Sequence, residues 1–110
     1  MKKEDSVYLR HILDAVNDID EFVKDMDKER FLSNKAIKYA VVRSMEIIGE
    51  ASKHLSRNFR EQHKDIRWED ICGMRDKLIH DYIGVDYSIV WKVIERDMPS
   101  LKNKIMEVLS

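Results

Sequence analysis

The chain has little of what breaks a helix or builds a sheet. Three glycines and one proline occur in 110 residues. So few turn-formers argue against an all-β chain with many tight reversals. No stretch alternates apolar with polar as a half-buried strand would, and no Asn-Gly or Asp-Gly pair marks a hairpin. Cys72 stands alone, which excludes an intramolecular disulfide and suits a reducing compartment. No apolar run reaches 18 residues and no signal peptide is recognisable, so the expectation is a soluble, cytoplasmic protein without a membrane partner. There is no Walker loop, no dinucleotide glycine fingerprint, no Cys-x-x-Cys and no His-Glu-x-x-His. No cofactor or metal ion is therefore expected. His11, Asp14 and Asp18 have ligand-like spacing, but an exposed acidic helix face looks the same and no second ligand pair follows.

What is present is helical periodicity. Tyr8, Ile12, Ala15, Ile19, Phe22 and Met26 recur at steps of three and four, which predicts a helix over 4–26. The charged stretch from Asp25 to Arg30 reads as a break. Ser33 or Asn34 then caps a second helix that runs to about Arg57. Apolar side chains from Ala36 to Leu55 cover most of its circumference, leaving Arg43, Glu46, Glu50 and Arg57 as the polar stripe. A helix this apolar is normally covered on two sides. A second subunit would supply that cover, and this breadth is the sequence's main argument for a homodimer; the alternative is a central position in one subunit. Gly49 lies in mid-helix at a cost of about 1 kcal/mol against Ala, and close approach of another helix would compensate.

Phe59 to Arg67 reads as a connector, with His54 and His63 as surface residues. Trp68 opens a third helix carrying Ile71, Met74 and Leu78, and Cys72 there reads as a small buried residue. Gly84 suits a chain reversal, and Asp86 caps a fourth helix from Tyr87 to about Asp97. Pro99 fits the first turn of a fifth, short helix with Leu101, Ile105 and Leu109 inward. The expected fold is all-α: one domain over 1–110, an up-down bundle of four to five helices.

The net charge of −1 excludes a globally basic nucleic-acid binder. The charge is uneven, however. Residues 28–67 hold 10 Lys/Arg against 5 Asp/Glu, whereas 1–27 hold 4 against 8. The third helix has too few exposed basic or amide side chains for a recognition helix.

The chemistry-bearing stretch is Arg75-Asp76-Lys77-Leu78-Ile79-His80-Asp81-Tyr82. Histidine moves protons near neutral pH, arginine clamps phosphate with a planar fork, and tyrosine offers a hydroxyl and a stacking face. On one ideal helix Arg75 and His80 would point roughly 140° apart. They work together only if the helix ends between them or a second subunit supplies the partner group. The same residues also fit a structural cluster, with Arg75 paired to Asp76 or Glu69 and Tyr82 at a core edge.

Arg75-x4-His80-x-Tyr82 resembles the motif of the HEPN superfamily, specifically its HepT-like branch. The likeness extends to Ile48-Gly49-Glu50-Ala51, to the run Ile66 to Asp76, and to Gly84-Val85-Asp86 followed by Val90-Trp91. The series spans about residues 8 to 109. The resemblance implies a homodimeric helical bundle with both motifs lining one cleft. It implies a metal-independent endoribonuclease acting as the toxin of a toxin–antitoxin pair. It also implies a minimal nucleotidyltransferase as antitoxin, able to attach AMP to Tyr82. Arg75 and His80 would then be catalytic, and Asp76 and Asp81 supporting residues that also repel RNA. The alternative is a non-catalytic module that docks a nucleotidyltransferase or a nucleotide through the same surface.

Overall fold

Helix α1 (Lys3–Phe22) and helix α3 (Lys35–Lys53) form the body of the molecule. The computed structural model describes residues 1–73 and 84–110, and the backbone alone of 79–80. Between and after the two long helices come α2 (Lys28–Ser33), α4 (Arg57–Gln62), α5 (Trp68–Cys72), β1 (Ile79–His80), β2 (Gly84–Val85) and α6 (Tyr87–Leu109). The fold is all-α, as the periodicity predicts. The two strands form a minimal antiparallel ladder, with Ile79 opposite Val85 and His80 opposite Gly84. The body measures 41 × 31 × 20 Å, so its thin dimension is only about two helix diameters. No described helix is long and apolar enough to cross a membrane.

The apolar stripes account for the packing. Leu9, Ile12, Val16 and Ile19 of α1 are buried against Val41, Met45 and Ile48 of α3. The N-terminus of α1 meets the C-terminus of α3, so the two run antiparallel. Asp5 marks that junction: it is 2% exposed, and its carboxylate accepts from the backbone N–H and the hydroxyl of Ser56, both at 2.7 Å. Ser56 in turn accepts from the Phe59 N–H at 3.1 Å and so caps α4. One carboxylate thus ties the start of the chain to the turn between α3 and α4. Tyr8 stacks on His54 at the same junction, with ring centroids 4.9 Å apart.

Four boundaries differ from the sequence expectation. The first helix stops at Phe22, because the chain turns through Asp25 in the left-handed region (φ 62°), a conformation Asp tolerates better than most side chains. Met26 nevertheless packs against the core. The charged break holds helix α2, capped by Asp27, whose carboxylate accepts from the Arg30 N–H at 2.8 Å. Its one buried residue, Phe31, packs on Trp91 of α6 at 5.2 Å. The expected connector contains helix α4, anchored by buried Phe59, so the second long helix ends at Lys53 rather than Arg57. Finally, α6 runs unbroken through Pro99, replacing the expected fourth and fifth helices. The stripe of Val90, Ile94, Met98, Leu101 and Ile105 is buried on both sides of the proline. A proline inside a helix costs about 3 kcal/mol, and burial of Leu101 and Ile105 at about 1.5–3 kcal/mol each outweighs it.

Two starts are as expected. The Asn34 side chain accepts from the Ile37 N–H at 3.0 Å to open α3, and Asp86 accepts from Ser88 at 3.0 Å and Ile89 at 3.4 Å to open α6.

The broad apolar surface of α3 is covered mainly within one chain, by α1 on one side and α5 on the other. The α5 contact passes over Gly49. A Cβ there would sit 3.3 Å from the Ile71 carbonyl oxygen and 3.5 Å from that of Cys72. Gly49 is therefore the close-approach point that its mid-helix position suggests.

Two substitutions test this frame. Asp5→Ala leaves the Ser56 donors facing a buried gap, and chemical denaturation should show a loss of about 1.5–3 kcal/mol; unchanged stability would exclude the tie. At Gly49, a branched side chain must push α5 away, so Gly49→Val should lose about 1–3 kcal/mol, while Gly49→Ala loses less because it gains helix propensity. Equal stability of the Val variant and the parent would show that the approach is not tight.

Candidate active site and its relatives

The chain enters the motif from α5. Burial of Trp68 holds that helix: its indole N–H donates to the His63 carbonyl at 3.0 Å, and its ring packs on Phe59 at 5.8 Å. His63 is half-buried against Phe59 at 4.4 Å, whereas the sequence placed it on the surface. Gly73 closes α5 with its N–H on the Glu69 carbonyl at 3.0 Å. The α3–α5 approach at Gly49 thus positions the end of α5, two residues before Arg75 in sequence.

The chain leaves the motif through β2 and α6. His80 lies in β1, so no single helix spans 75 to 80 and the 140° separation of an ideal helix does not apply. Its Cα partner is Gly84, whose φ of +96° is left-handed and favours glycine over any L side chain. Two residues later the Asp86 cap starts α6, whose N-terminal half is locked by buried Val90 and Trp91. Arg75, Asp76, Asp81 and Tyr82 lie outside the described residues, as do Met74 and Leu78 of the expected third-helix stripe, and so does the side chain of His80.

Around this segment the described residues place three groups that bear on chemistry. Cys72 is half-buried, and burial pushes its thiol above the ordinary value, only partly countered by the charges of Arg60 and Lys53 and by the Arg60 contact at 4.0 Å. A thiol so protonated at neutral pH is a poor nucleophile, in keeping with a packing role. Along α4 and α5, a groove of about 420 Å³ is lined by Arg57, Arg60, Lys64 and Arg67, but also by Glu61, Glu69 and Asp70. Arg57–Glu61 at 3.1 Å and Arg67–Asp70 at 2.9 Å are exposed pairs, so much of its positive charge is already answered.

The third group lies at the other end of α3. The Lys38 ammonium sits 4.6 Å from the ring centre of Tyr87, the first residue of α6. Lys35 lies 5.8 Å from the ring of Tyr39, which is 57% exposed. Tyr87's phenol is pushed above its ordinary value, first by burial and then by nearby Tyr39. Sequence reasoning gave neither tyrosine a role. Tyr39 falls within the basic stretch 28–67, whereas Tyr87 carried no signal beyond opening the helix that Asp86 caps. Among the described residues no group of three or more His, Cys, Asp or Glu side chains is arranged to hold a metal ion. His11 instead packs edge-on against Tyr8 at 5.9 Å.

Comparison with known proteins gives a consistent answer. A "Probable ribonuclease HepT" of Thermococcus cleftensis is 45% identical over 104 residues, covering 94% of each chain. A "Putative RNase" of Methanocaldococcus jannaschii is 42% identical over 104 residues, covering 94% of this chain and 95% of its own. A "Putative RNase" of Caldanaerobacter subterraneus subsp. tengcongensis is 46% identical over 102 residues, covering 93% and 91%. No solved structure gives a significant match. A family profile described as "Ribonuclease HepT-like" matches residues 12–108, a span that contains both helices of the α3–α5 contact and the whole motif. The chain therefore belongs to the HepT-like ribonuclease family of the HEPN superfamily.

Proposed function

We propose that the chain is a metal-independent endoribonuclease and the toxin of a toxin–antitoxin pair. The observation that supports the reading is the family match over residues 12–108, the span in which Arg75, His80 and Tyr82 fall.

The chemistry is modest in its demands. RNA carries its own nucleophile, the 2′-hydroxyl. His80 takes the proton from that hydroxyl, or returns one to the leaving 5′-oxygen. Arg75 holds the phosphate as negative charge builds on it. Tyr82 positions the strand near the phosphate. Asp76 and Asp81 flank the motif and orient His80, at some cost in repulsion of RNA. The products are a 2′,3′-cyclic phosphate and a free 5′-hydroxyl, and neither a metal nor a cofactor enters.

In this reading the protein acts in the cytoplasm as a homodimer, with two copies of the motif converging about a two-fold axis. The partner is a minimal nucleotidyltransferase. Transfer of AMP to the Tyr82 hydroxyl adds bulk and a negative charge where an RNA phosphate would sit, which silences the site by steric block and like-charge repulsion.

Protein produced without a partner, with Tyr82 shown by mass to be unmodified, should cleave RNA in EDTA and leave cyclic phosphate ends. His80→Ala should lower that rate by about 10²–10⁴-fold at unchanged helical content. A folded parent protein that binds a nucleotidyltransferase yet leaves RNA intact would replace this reading with the docking module.

A further inference from the structure

The start of α3 has features that the proposed catalytic motif does not use. Arg30 and Lys35 line an opening of about 420 Å³ between α2 and α3, together with Met26, Ser33 and Asn34 and without any carboxylate. Nearby acids do not line it, exposed Asp25 in the turn before α2 included. Asp27 and Asp86 turn their carboxylates to the helix starts that they cap, and Glu29 is an exposed residue in the first turn of α2. Lys38 continues the positive track one helical turn beyond Lys35, held against Tyr87. Tyr39 stands beside the track with more than half its surface in water, which leaves its ring accessible to a ligand.

The track also lies near the motif. Tyr87 follows Gly84 by three residues, so their Cα atoms are at most about 11 Å apart. Gly84 is the ladder partner of His80, about 5 Å away. One extended strand of nucleic acid lying on the track is thus close enough to His80 to be served by it.

We propose that this surface is the binding track for single-stranded RNA: Tyr39 stacks an unpaired base, and Arg30, Lys35 and Lys38 hold the adjoining phosphates, Lys38 being pre-positioned by Tyr87. The proposal rests on the ribonuclease reading above and adds to it the strandedness of the substrate and the residues that hold it. Stacking on an aromatic ring tolerates every base, because every base has a π-face, and lysines at phosphates carry no sequence information. The track therefore selects unpaired RNA over duplex and gives little sequence preference.

Binding is separable from cleavage. The His80→Ala protein is titrated onto a fluorescein-labelled unstructured oligoribonucleotide, and anisotropy is read across a series of salt concentrations. Adding Tyr39→Ala should weaken binding by between about five- and 150-fold, and Tyr39→Phe should restore it, since the ring and not the hydroxyl does the stacking. Replacing Lys35 and Lys38 by Ser should lower the slope of log Kd against log salt by about 0.7 for each lysine. Lys3→Ser removes the same charge from the start of α1, beside the far end of α3, and should leave the slope and the affinity unchanged. A hairpin duplex of equal length should bind more weakly than the unstructured strand and be indifferent to Tyr39. Equal affinity of Tyr39→Ala and its parent overturns the track, as does a Tyr39→Ala variant that loses only a protein partner. If the His80-intact protein binds RNA through Tyr39 but never cuts it, the track stands and the catalytic reading falls.

Discussion

The contact on which the site depends is the approach of α5 to α3 over Gly49. A helix of five residues has no stability of its own. It is held by the carbonyl oxygens of Ile71 and Cys72 lying on the bare backbone of Gly49, and by Trp68 locked to the His63 carbonyl. The stretch from Arg75 to Tyr82 follows the end of that helix in sequence. The glycine's cost in helix propensity, about 1 kcal/mol, is the local concession that lets α5 sit this close.

A second constraint meets the motif from the far side. The Asp86 cap fixes where α6 begins, and the buried stripe through Met98 and Leu101 keeps that helix in one piece across Pro99. The motif thus runs between two anchored elements, and the ladder of His80 with Gly84 ties its end back to α6. No single helix carries positions 75 and 80 together, because His80 lies in β1.

The parts legible in the sequence were those with enough residues to show a period or a local cap. Helices α1 and α3 announce themselves through steps of three and four, as do the two halves of α6, which Pro99 made read as separate helices. Asn34 and Asp86 are readable as caps because the bonds they make are to neighbours two or three residues away. Gly49 is readable because a glycine in mid-helix needs a reason. Helices α2 and α4 were not legible: six residues hold less than two turns, and each is fixed by one buried phenylalanine in a charged stretch. The Asp5–Ser56 tie spans 51 positions and leaves no local trace. Of the candidate site, Arg75, His80 and Tyr82 were visible through the family resemblance and not through geometry. The Lys38–Tyr87 contact joins residues 49 positions apart and emerges only when α3 and α6 are folded together.

Amide hydrogen exchange on the Gly49→Val protein tests the central claim most directly. If the α3–α5 approach holds the entrance to the motif, exchange should rise sharply in peptides covering Trp68–Gly73 and continue to rise into the motif. Peptides from the buried face of α1 should stay protected. Unchanged protection at 68–73, or a uniform rise across the whole chain, would contradict the account and return the anchoring of the site to some other contact.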